Sequence, residues 1–204
     1  MSEAGKGVTK EDLLELKELL EQYALLRDDF VLSSGTKSKY YFDGKGVTLE
    51  PAVKNLIALV LDPIVRESRA EAVGGLEIGA VPIACALPFP SFIVRDKKKG
   101  HGTRERIAAA YSIRGTESEL RPGLRVAIVD DVVTTGDSIV RAIEAVQACD
   151  CAVVAVVALV TRPERGAAVE LRSRYNYISL FESDEEGNLS LTAEAEALTR
   201  SPVV

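Results

Sequence analysis

Two adjacent carboxylates followed by a hydroxyl-rich turn form the most chemically suggestive segment of the sequence. Asp130 and Asp131 end the apolar run at residues 126–129, and the turn Thr-Thr-Gly-Asp-Ser occupies residues 134–138. Ligands of open α/β sheets bind beyond the carboxyl ends of such buried strands. At that place the N–H groups and hydroxyls of a helix-opening turn bind phosphate, and neighbouring carboxylates accept hydrogen bonds from a vicinal diol. The segment therefore predicts a site for a ribose phosphate.

The same residues have a structural explanation, because aspartate often ends a strand and caps a turn. Other phosphate-binding motifs are missing from the sequence. It contains no Gly-x-x-x-x-Gly-Lys-Ser/Thr loop, and the glycines at residues 74–79 lack the Gly-x-Gly-x-x-Gly spacing. The combination of paired acids, hydroxyls and an apolar strand favours the functional interpretation.

A second candidate segment is strongly basic. Residues 95–106 carry six positive and two negative side chains, and they include His101, the only histidine of the chain. Most basic runs are solvated surface, but this one follows a predicted strand and contains Gly100 and Gly102, so it can close over an anion. Cations that neutralise the charge growing on an anionic leaving group stabilise a transition state. Histidine also titrates near neutrality.

The elements around these segments alternate between strand and helix in the second half of the chain. Thr9 caps a leucine-rich helix, and Pro51 opens a second helix that extends roughly to Arg69. Strands are predicted at residues 30–32, 40–43, 72–73, 92–94, 124–129, 152–160 and 177–181, the last at an edge, with a turn at Gly74-Gly75 and further helices at 82–87 and 136–149. Buried strands separated by helices indicate a parallel sheet covered on both faces.

Composition limits the classes of protein that fit. The 204 residues are 47% hydrophobic and 27% charged, which indicates a globular domain, and the net charge of −6 gives no general attraction for nucleic acid. Cys85, Cys149 and Cys151 lack zinc or redox spacing, so we expect small buried side chains in a reducing compartment. The polar N-terminus and the short apolar run at residues 151–160 predict a cytoplasmic protein without a membrane span.

Residues 126–138 resemble the phosphoribosyl pyrophosphate (PRPP) signature of the type I phosphoribosyltransferases. The resemblance implies that Asp130 and Asp131 hold the ribose 2- and 3-hydroxyls. It also implies that the 5-phosphate binds at Thr134, Thr135, Gly136, Asp137 and Ser138. Because a carboxylate repels phosphate, we expect only the backbone N–H of Asp137 to face the ligand.

The basic segment is similar to the catalytic loop of orotate phosphoribosyltransferases, which contains Lys-x-His-Gly. The match implies Lys99 and His101 as catalytic residues, together with Asp130 and Asp131. It also implies Arg95, Lys98 and Lys99 as further PRPP ligands. The sequence departs from the family pattern at two places. Asp96 stands where many members have lysine, and Ile-Ala-Ala at residues 107–109 replaces Ile-Glu-Gly.

The resemblance extends to the segments that would select the base. Residues 30–43 look like the family's N-terminal hood, in which Tyr41 and Phe42 would lie against the pyrimidine. The alternative is that these two aromatic residues pack a small core. Residues 75–84 resemble the pyrophosphate loop, where Gly79 would bring its backbone to the diphosphate. Arg162 begins an Arg-x-Glu-Arg-Gly pattern, and the resemblance implies that it meets the orotate carboxylate, with Thr134 nearby. A surface ion pair is the alternative for Arg162.

These observations predict one α/β domain over residues 1–204 with the type I phosphoribosyltransferase fold. We expect a five-stranded parallel sheet, helices on both faces, and a hood contributed by about residues 1–45. The expected reaction joins orotate to the ribose 5-phosphate of PRPP, with Mg²⁺ held mainly through substrate and water rather than by direct protein ligands. The family also implies a homodimer with shared active sites. The alternatives are a phosphoribosyltransferase for uracil or a purine, and a catalytically weak PRPP-sensing regulator.

Overall fold

The computed structural model describes residues 7–31, 37–96, 107–108, 110–111, 117–118, 120–162 and 166–200. The helices are α1 (Lys10–Tyr23), α2 (Gly44–Thr48), α3 (Pro51–Glu67), α4 (Ala80–Ala86), α5 (Asp137–Gln147), α6 (Ala167–Arg174) and α7 (Ala193–Leu198). The strands are β1 (Leu25–Val31), β2 (Lys37–Phe42), β3 (Ala72–Leu76), β4 (Ser91–Val94), β5 (Ile107–Ala108), β6 (Ala110–Tyr111), β7 (Glu117–Ser118), β8 (Arg125–Val133), β9 (Ala152–Thr161), β10 (Tyr177–Ser183) and β11 (Leu189–Leu191).

The first helix begins where the sequence predicts it. The hydroxyl of Thr9 accepts a hydrogen bond from the Asp12 N–H at 3.1 Å, and the Asp12 carboxylate accepts one from the Thr9 N–H at 2.8 Å. This reciprocal capping box satisfies two of the donors that a helix start leaves unpaired. Leu13, Leu16 and Leu20 follow on one face and are buried, so the amphipathic prediction for α1 is confirmed.

The main sheet contains the five parallel strands that the sequence predicts. Its order is β11-β10-β9-β8-β3-β4-β5, and β3, β4, β8, β9 and β10 all run in the same direction. Short antiparallel strands extend it at both ends, β5 beside β4 and β11 beside β10. The prediction of β10 as an edge strand is therefore wrong, because the acidic C-terminal segment returns and pairs with it.

Helices cover both faces of this sheet, as predicted. One face packs against α1, α3 and α4 through residues such as Val73, Val129 and Val157. The other packs against α5 and α6 through residues such as Ile128, Val156 and Ile143. The alternation of side chains along each strand divides them between the two cores. None of the described helices has both the length and the apolar character needed to cross a bilayer.

Two predicted boundaries are wrong for a shared reason. Gly74 and Gly75 lie inside β3 rather than in a turn. They are glycines because the closely packed neighbouring strands leave no room for a side chain: a Cβ on Gly75 would overlap the Val129 carbonyl. Strand β8 likewise continues through Asp130 and Asp131 instead of ending at them. Pairing with β9 holds this polar end of the strand in the sheet. Long-range strand pairing thus overrides local turn signals.

The hood is an antiparallel hairpin of β1 and β2 that packs on the first core. Tyr40 and Phe42 are buried and their rings meet edge to face, whereas Tyr41 points to the other side and contacts Phe30.

The prediction that the cysteines are buried holds only in part. Cys151 is buried, but Cys85 is exposed on α4 and the expectation of burial is wrong for it.

Candidate active site

The candidate site lies where the carboxyl ends of β3 and β8 meet. Strand β4, the next in the chain, pairs with β3 on one side, whereas the later strands β8 and β9 lie on the other side of β3. This reversal of strand order opens a crevice at the strand ends, where ligands of such sheets bind. Asp130 and Asp131 lie on β8 at this edge, and their side chains point to opposite faces of the sheet because they are consecutive strand residues. Each carboxylate therefore has its own surroundings.

Asp130 faces helix α5. Its Oδ2 accepts a hydrogen bond from the Ser138 hydroxyl at 2.6 Å, and its Oδ1 accepts one from the Asp131 N–H at 3.1 Å. The side chain is buried, and burial together with the nearby charge of Asp131 raises the pKa of Asp130 to about 7. The carboxylate is thus held in place but poorly solvated. A partner that donates hydrogen bonds or carries positive charge would stabilise its ionised form.

Asp131 faces two glycines from distant parts of the chain. A Cβ on Gly44 would lie 2.6 Å from Asp131 Oδ2, and one on Gly79 would overlap Oδ1. Burial raises the pKa of Asp131, and the positive charge of Lys45 opposes this shift. The Val132 N–H also donates to Oδ1 at 2.9 Å. The backbone of helix α2 and the loop before α4 can approach this carboxylate only because both positions lack a side chain.

The hydroxyl turn leads directly into α5. Gly136 has φ +80, a left-handed conformation that favours glycine, and its carbonyl accepts the first helical hydrogen bond from Val140 at 2.9 Å. Thr134 and Thr135 are partly exposed, and the Asp137 side chain is exposed as expected. The Asp137 N–H donates to the Thr135 hydroxyl at 3.5 Å. The first N–H groups of a helix lack partners within the helix, and such a helix start commonly binds phosphate. The Ser138 hydroxyl donates to Asp130, and its role in binding the phosphate stays a prediction.

The loop between β3 and α4 carries Gly79 to the crevice. Its Glu77–Ile78 peptide bond is cis, and the Ile78 side chain is exposed. The Glu77 carboxylate accepts a hydrogen bond from the Asp96 N–H at 3.2 Å. This contact connects the loop to the end of β4, so the segments that follow β3 and β4 are held side by side.

The basic segment begins beside this junction. Asp96 forms an ion pair with Arg141 of α5 at 2.5 Å, and the Arg141 Nε donates to the Asp137 carbonyl at 3.2 Å. The residue that departs from the family pattern therefore has a defined partner on the helix that follows the hydroxyl turn. Arg95 is half-buried at the end of β4. Lys98, Lys99 and His101 lie outside the described residues.

Arg162 follows β9 and lies beneath the hood. Its side chain is only 3% exposed, so the alternative of a surface ion pair does not apply. The Nη2 atom donates to the Ser38 hydroxyl at 3.1 Å, and the guanidinium carbon lies 4.1 Å from the centre of the Tyr40 ring. Tyr41 and Phe42, predicted to contact a base together, point to opposite faces of β2.

Comparison with known proteins identifies the family. The model of the phosphoribosyl transferase domain matches residues 72–190, which include both acids and the hydroxyl turn. The orotate phosphoribosyltransferase of Aquifex aeolicus (strain VF5) is 38% identical over 165 residues, covering 76% of this chain and 85% of that protein. The chain belongs to the orotate phosphoribosyltransferase family. The members of this family are pentosyltransferases, so the predicted enzyme class is confirmed.

Solved structures of family members share the fold. The Mycobacterium tuberculosis H37Rv orotate phosphoribosyltransferase in complex with Fe(III) dicitrate has a TM-score of 0.70 and 32% identity, covering 86% of this chain and 99% of that one. The same enzyme in complex with 5-phospho-alpha-D-ribosyl 1-diphosphate has a TM-score of 0.65 and 32% identity, covering 82% of this chain and 94% of that one. The predicted type I phosphoribosyltransferase fold is confirmed.

Several residues of the site were missed by sequence reasoning. Gly44 and Lys45 lie near Asp131, although their segment was predicted only as part of the hood. Tyr40 was not among the predicted site residues, which included its neighbours Tyr41 and Phe42. Alternation along a strand nevertheless places Tyr40 on the same face as Phe42. Arg141 gave no sequence signal, because its partner Asp96 lies 45 residues away.

Proposed function

We propose that this chain transfers the ribose 5-phosphate of PRPP to orotate, forming orotidine 5-phosphate and pyrophosphate in de novo pyrimidine synthesis. The observation that carries the proposal is the pair Asp130 and Asp131, one buried and one half-buried carboxylate with raised pKa values, beside the hydroxyl turn that begins α5. The curated relatives are named for this activity, and one solved relative is described with PRPP bound. PRPP contains a vicinal diol, a 5-phosphate and a diphosphate, which match the three parts of the site.

Each part of the substrate has a partner in this arrangement. The ribose hydroxyls donate to Asp130 and Asp131, whose poorly solvated carboxylates need hydrogen-bond donors. The 5-phosphate binds the N–H groups and hydroxyls of residues 134–138, as phosphate commonly does at a helix start. The diphosphate lies along the backbone near Gly79, on the other side of Asp131. The anomeric carbon is thereby fixed between the two phosphate sites.

Mg²⁺ suits this donor set. Among the described residues no three His, Cys, Asp or Glu side chains lie together as a metal cluster, so a dedicated protein cage is not available there. The two raised pKa values indicate carboxylates that a nearby cation would stabilise in their charged form. Asp130 and Asp131 would hold Mg²⁺ mainly through substrate oxygens and water. When bound, the ion would neutralise charge on the diphosphate.

The base is selected from the hood side. The planar guanidinium of Arg162 matches the orotate carboxylate in a bidentate pair, with Thr134 close to the same ring. Tyr41 or Phe42 supplies an apolar contact to the pyrimidine face. An orotate nitrogen then attacks the anomeric carbon as the bond to pyrophosphate breaks, through a transition state with carbocation character.

Electrostatic stabilisation of the leaving group is assigned to the basic segment. Arg95, Lys98 and Lys99 neutralise the charge that develops on pyrophosphate, and His101 acts on the leaving group or on the base. No covalent intermediate with the enzyme is required, because the nucleophile attacks directly. Closure of the segment over the site would exclude water from the carbocation-like centre.

We further propose that the chain acts as one phosphoribosyltransferase domain over residues 1–204, with the hood at about residues 1–45. We expect it to work in the cytoplasm as a homodimer with shared sites, without nucleic acid or membrane partners. The orotate phosphoribosyltransferase relatives and the absence of a general basic charge support these expectations.

A direct assay tests the proposal. The pure protein is incubated with PRPP, Mg²⁺ and one base at a time, and the ultraviolet band of each base is followed. We expect orotate alone to be consumed, with release of pyrophosphate. Consumption of uracil or a purine instead would reassign the substrate. Tight PRPP binding without turnover of any base would favour the regulatory alternative and contradict the enzymatic one.

A further inference from the structure

The turn between β10 and β11 contacts the hood at Tyr40. We call residues 183–188 the C-terminal turn. The Tyr40 hydroxyl lies 3.0 Å from the Ser183 hydroxyl and donates to the Asp184 carbonyl at 3.2 Å. A Cβ on Gly187 would lie 2.8 Å from the Tyr40 ring, and the ring is only 1% exposed. Tyr40 is therefore held both at its hydroxyl and at its ring.

The C-terminal turn is itself held by internal hydrogen bonds. The Asn188 side-chain amide donates to the Asp184 carboxylate at 2.8 Å, as do the N–H groups of Asn188 at 2.7 Å and Glu186 at 3.0 Å. These hydrogen bonds, that of the amide above all, lower the pKa of Asp184. Arg27 of β1 donates to the Glu186 carbonyl at 2.6 Å and to the Asn188 side chain at 2.9 Å. The turn thus contacts both strands of the hood hairpin.

Tyr40 in turn contacts the buried Arg162. The guanidinium carbon lies 4.1 Å from the ring centre, within the range of a cation–π contact. The Ser38 hydroxyl, two residues earlier on β2, accepts from Arg162 Nη2 at 3.1 Å. Two side chains of the same strand therefore fix the plane and the rotation of this guanidinium. A bidentate pair with a carboxylate depends on that orientation.

We propose that Tyr40, held by the C-terminal turn, is a positioning residue that aims Arg162 at the carboxylate of the base. This inference rests on the proposed function, in which Arg162 binds orotate. The C-terminal turn would then set the selectivity for a carboxylated base from outside the substrate site. Tyr40 itself does not touch the substrate in this arrangement.

Substitutions of Tyr40 separate positioning from folding. Tyr40→Leu removes the aromatic face, and Tyr40→Phe removes only the hydroxyl contacts to the turn. We expect the KM for orotate to rise about tenfold in Tyr40→Leu and about threefold in Tyr40→Phe, with the KM for PRPP unchanged within about twofold. Lys39→Ala is the matched control, since Lys39 is the exposed neighbour on the same strand and pairs with Asp29. It should leave both constants unchanged.

A double-mutant cycle with Arg162→Gln gives the decisive readout. If Tyr40 acts through Arg162, Tyr40→Leu should change the KM for orotate by less than about twofold in the Arg162→Gln background. If the two substitutions instead raise the KM for orotate independently, so that their factors multiply, the inference is overturned. An unchanged KM for orotate in a folded Tyr40→Leu protein would overturn it as well. Should Tyr40→Leu fail to fold, the same cycle with Tyr40→Phe decides by the same criterion. Failure of the unsubstituted protein to use orotate would instead contradict the proposed function.

Discussion

At the scale of single residues, Asp130 and Asp131 are adjacent in sequence but differ in environment. Asp130 is fixed by Ser138 on the α5 side, and Asp131 lies against backbone and Lys45 on the α4 side. A ribose that contacts both must lie across the edge of the sheet, which orients its anomeric carbon. In the proposed arrangement, the strand alternation that separates the two carboxylates therefore also orients the substrate.

Removal of charge at two positions should disable the enzyme. We predict that Asp131→Asn and Lys99→Ala each lower kcat/KM by about a hundredfold or more, because each removes a group that stabilises the transition state. Glu144→Gln, at an exposed position of α5, is the matched control and should retain the full rate. Rates are measured from the loss of orotate absorbance. Full activity in both site variants would remove the assignment of these residues.

The ionised side chain of Asp130 should destabilise the ligand-free protein at high pH. Its pKa is about 7 in the folded protein, compared with 3.8 for an ordinary aspartate, so folding favours the protonated form. The stability that this form provides is complete below about pH 4 and is lost as the pH rises through 7. Asp130→Asn avoids the buried charge, so it should raise the free energy of unfolding by about 1–3 kcal/mol at pH 8 and by less at pH 5.

Urea unfolding at pH 5 and pH 8, without ligand, measures this difference. Glu185→Gln, which removes an exposed carboxylate, should show the same small effect at both values. The same Asp130→Asn protein should bind PRPP poorly, because it loses the acceptor for a ribose hydroxyl. A stabilisation of equal size at both pH values would argue against a perturbed carboxyl at this position.

At the scale of elements, β3 shows how packing decides what a glycine does. A Cβ on Gly75 would lie 2.6 Å from the Ala80 side chain and would overlap the Val129 carbonyl, so β3, β8 and α4 approach closely only because this residue is glycine. In the sequence, Gly74 and Gly75 together predict a turn. Close packing at this point brings the loop that contains Gly79 next to Asp131.

Alanine substitutions at two glycines should therefore have different effects on stability. Gly75→Ala should lower the free energy of unfolding by about 3 kcal/mol or more, since backbone must move to accommodate the methyl group. Gly46→Ala, in helix α2 with no atom within 4 Å of its Cβ, should be neutral or stabilising by up to about 1 kcal/mol. Chemical denaturation of both variants provides the comparison. Equal effects at the two positions would contradict the packing described for β3.

At the scale of the whole molecule, the C-terminal segment links the end of the chain to its beginning. The Leu189 N–H donates to the Glu21 carboxylate of α1 at 2.8 Å, and Arg27 donates to the Glu186 carbonyl. Strand β11 and the C-terminal turn thus hold the hood over the strand ends. The acidic composition of this segment gave no indication of such a role.

The expected homodimer with shared sites can be tested by mixing inactive subunits. In a mixed dimer of Lys99→Ala and Asp131→Asn chains, one site would carry both defects and the other none. Random exchange should then restore about a quarter of the unsubstituted rate, because half the dimers are mixed and one site of each is intact. Light scattering checks the mass of the assembly. A monomer, or a mixture without recovered activity, would contradict the sharing of sites.

The sequence alone determined what depends on contiguous residues. The capping box at Thr9, the apolar runs of the parallel strands and the acid pair followed by a hydroxyl turn are local patterns, so they predicted α1, the α/β class and the ribose phosphate site. Only the tertiary structure decided what depends on residues far apart in the chain. The contacts of Asp131 with Gly44 and Gly79, the ion pair of Asp96 with Arg141, and the packing of Arg162 on Tyr40 each join separate elements. Such contacts arise from the order and pairing of strands, which a local pattern does not encode.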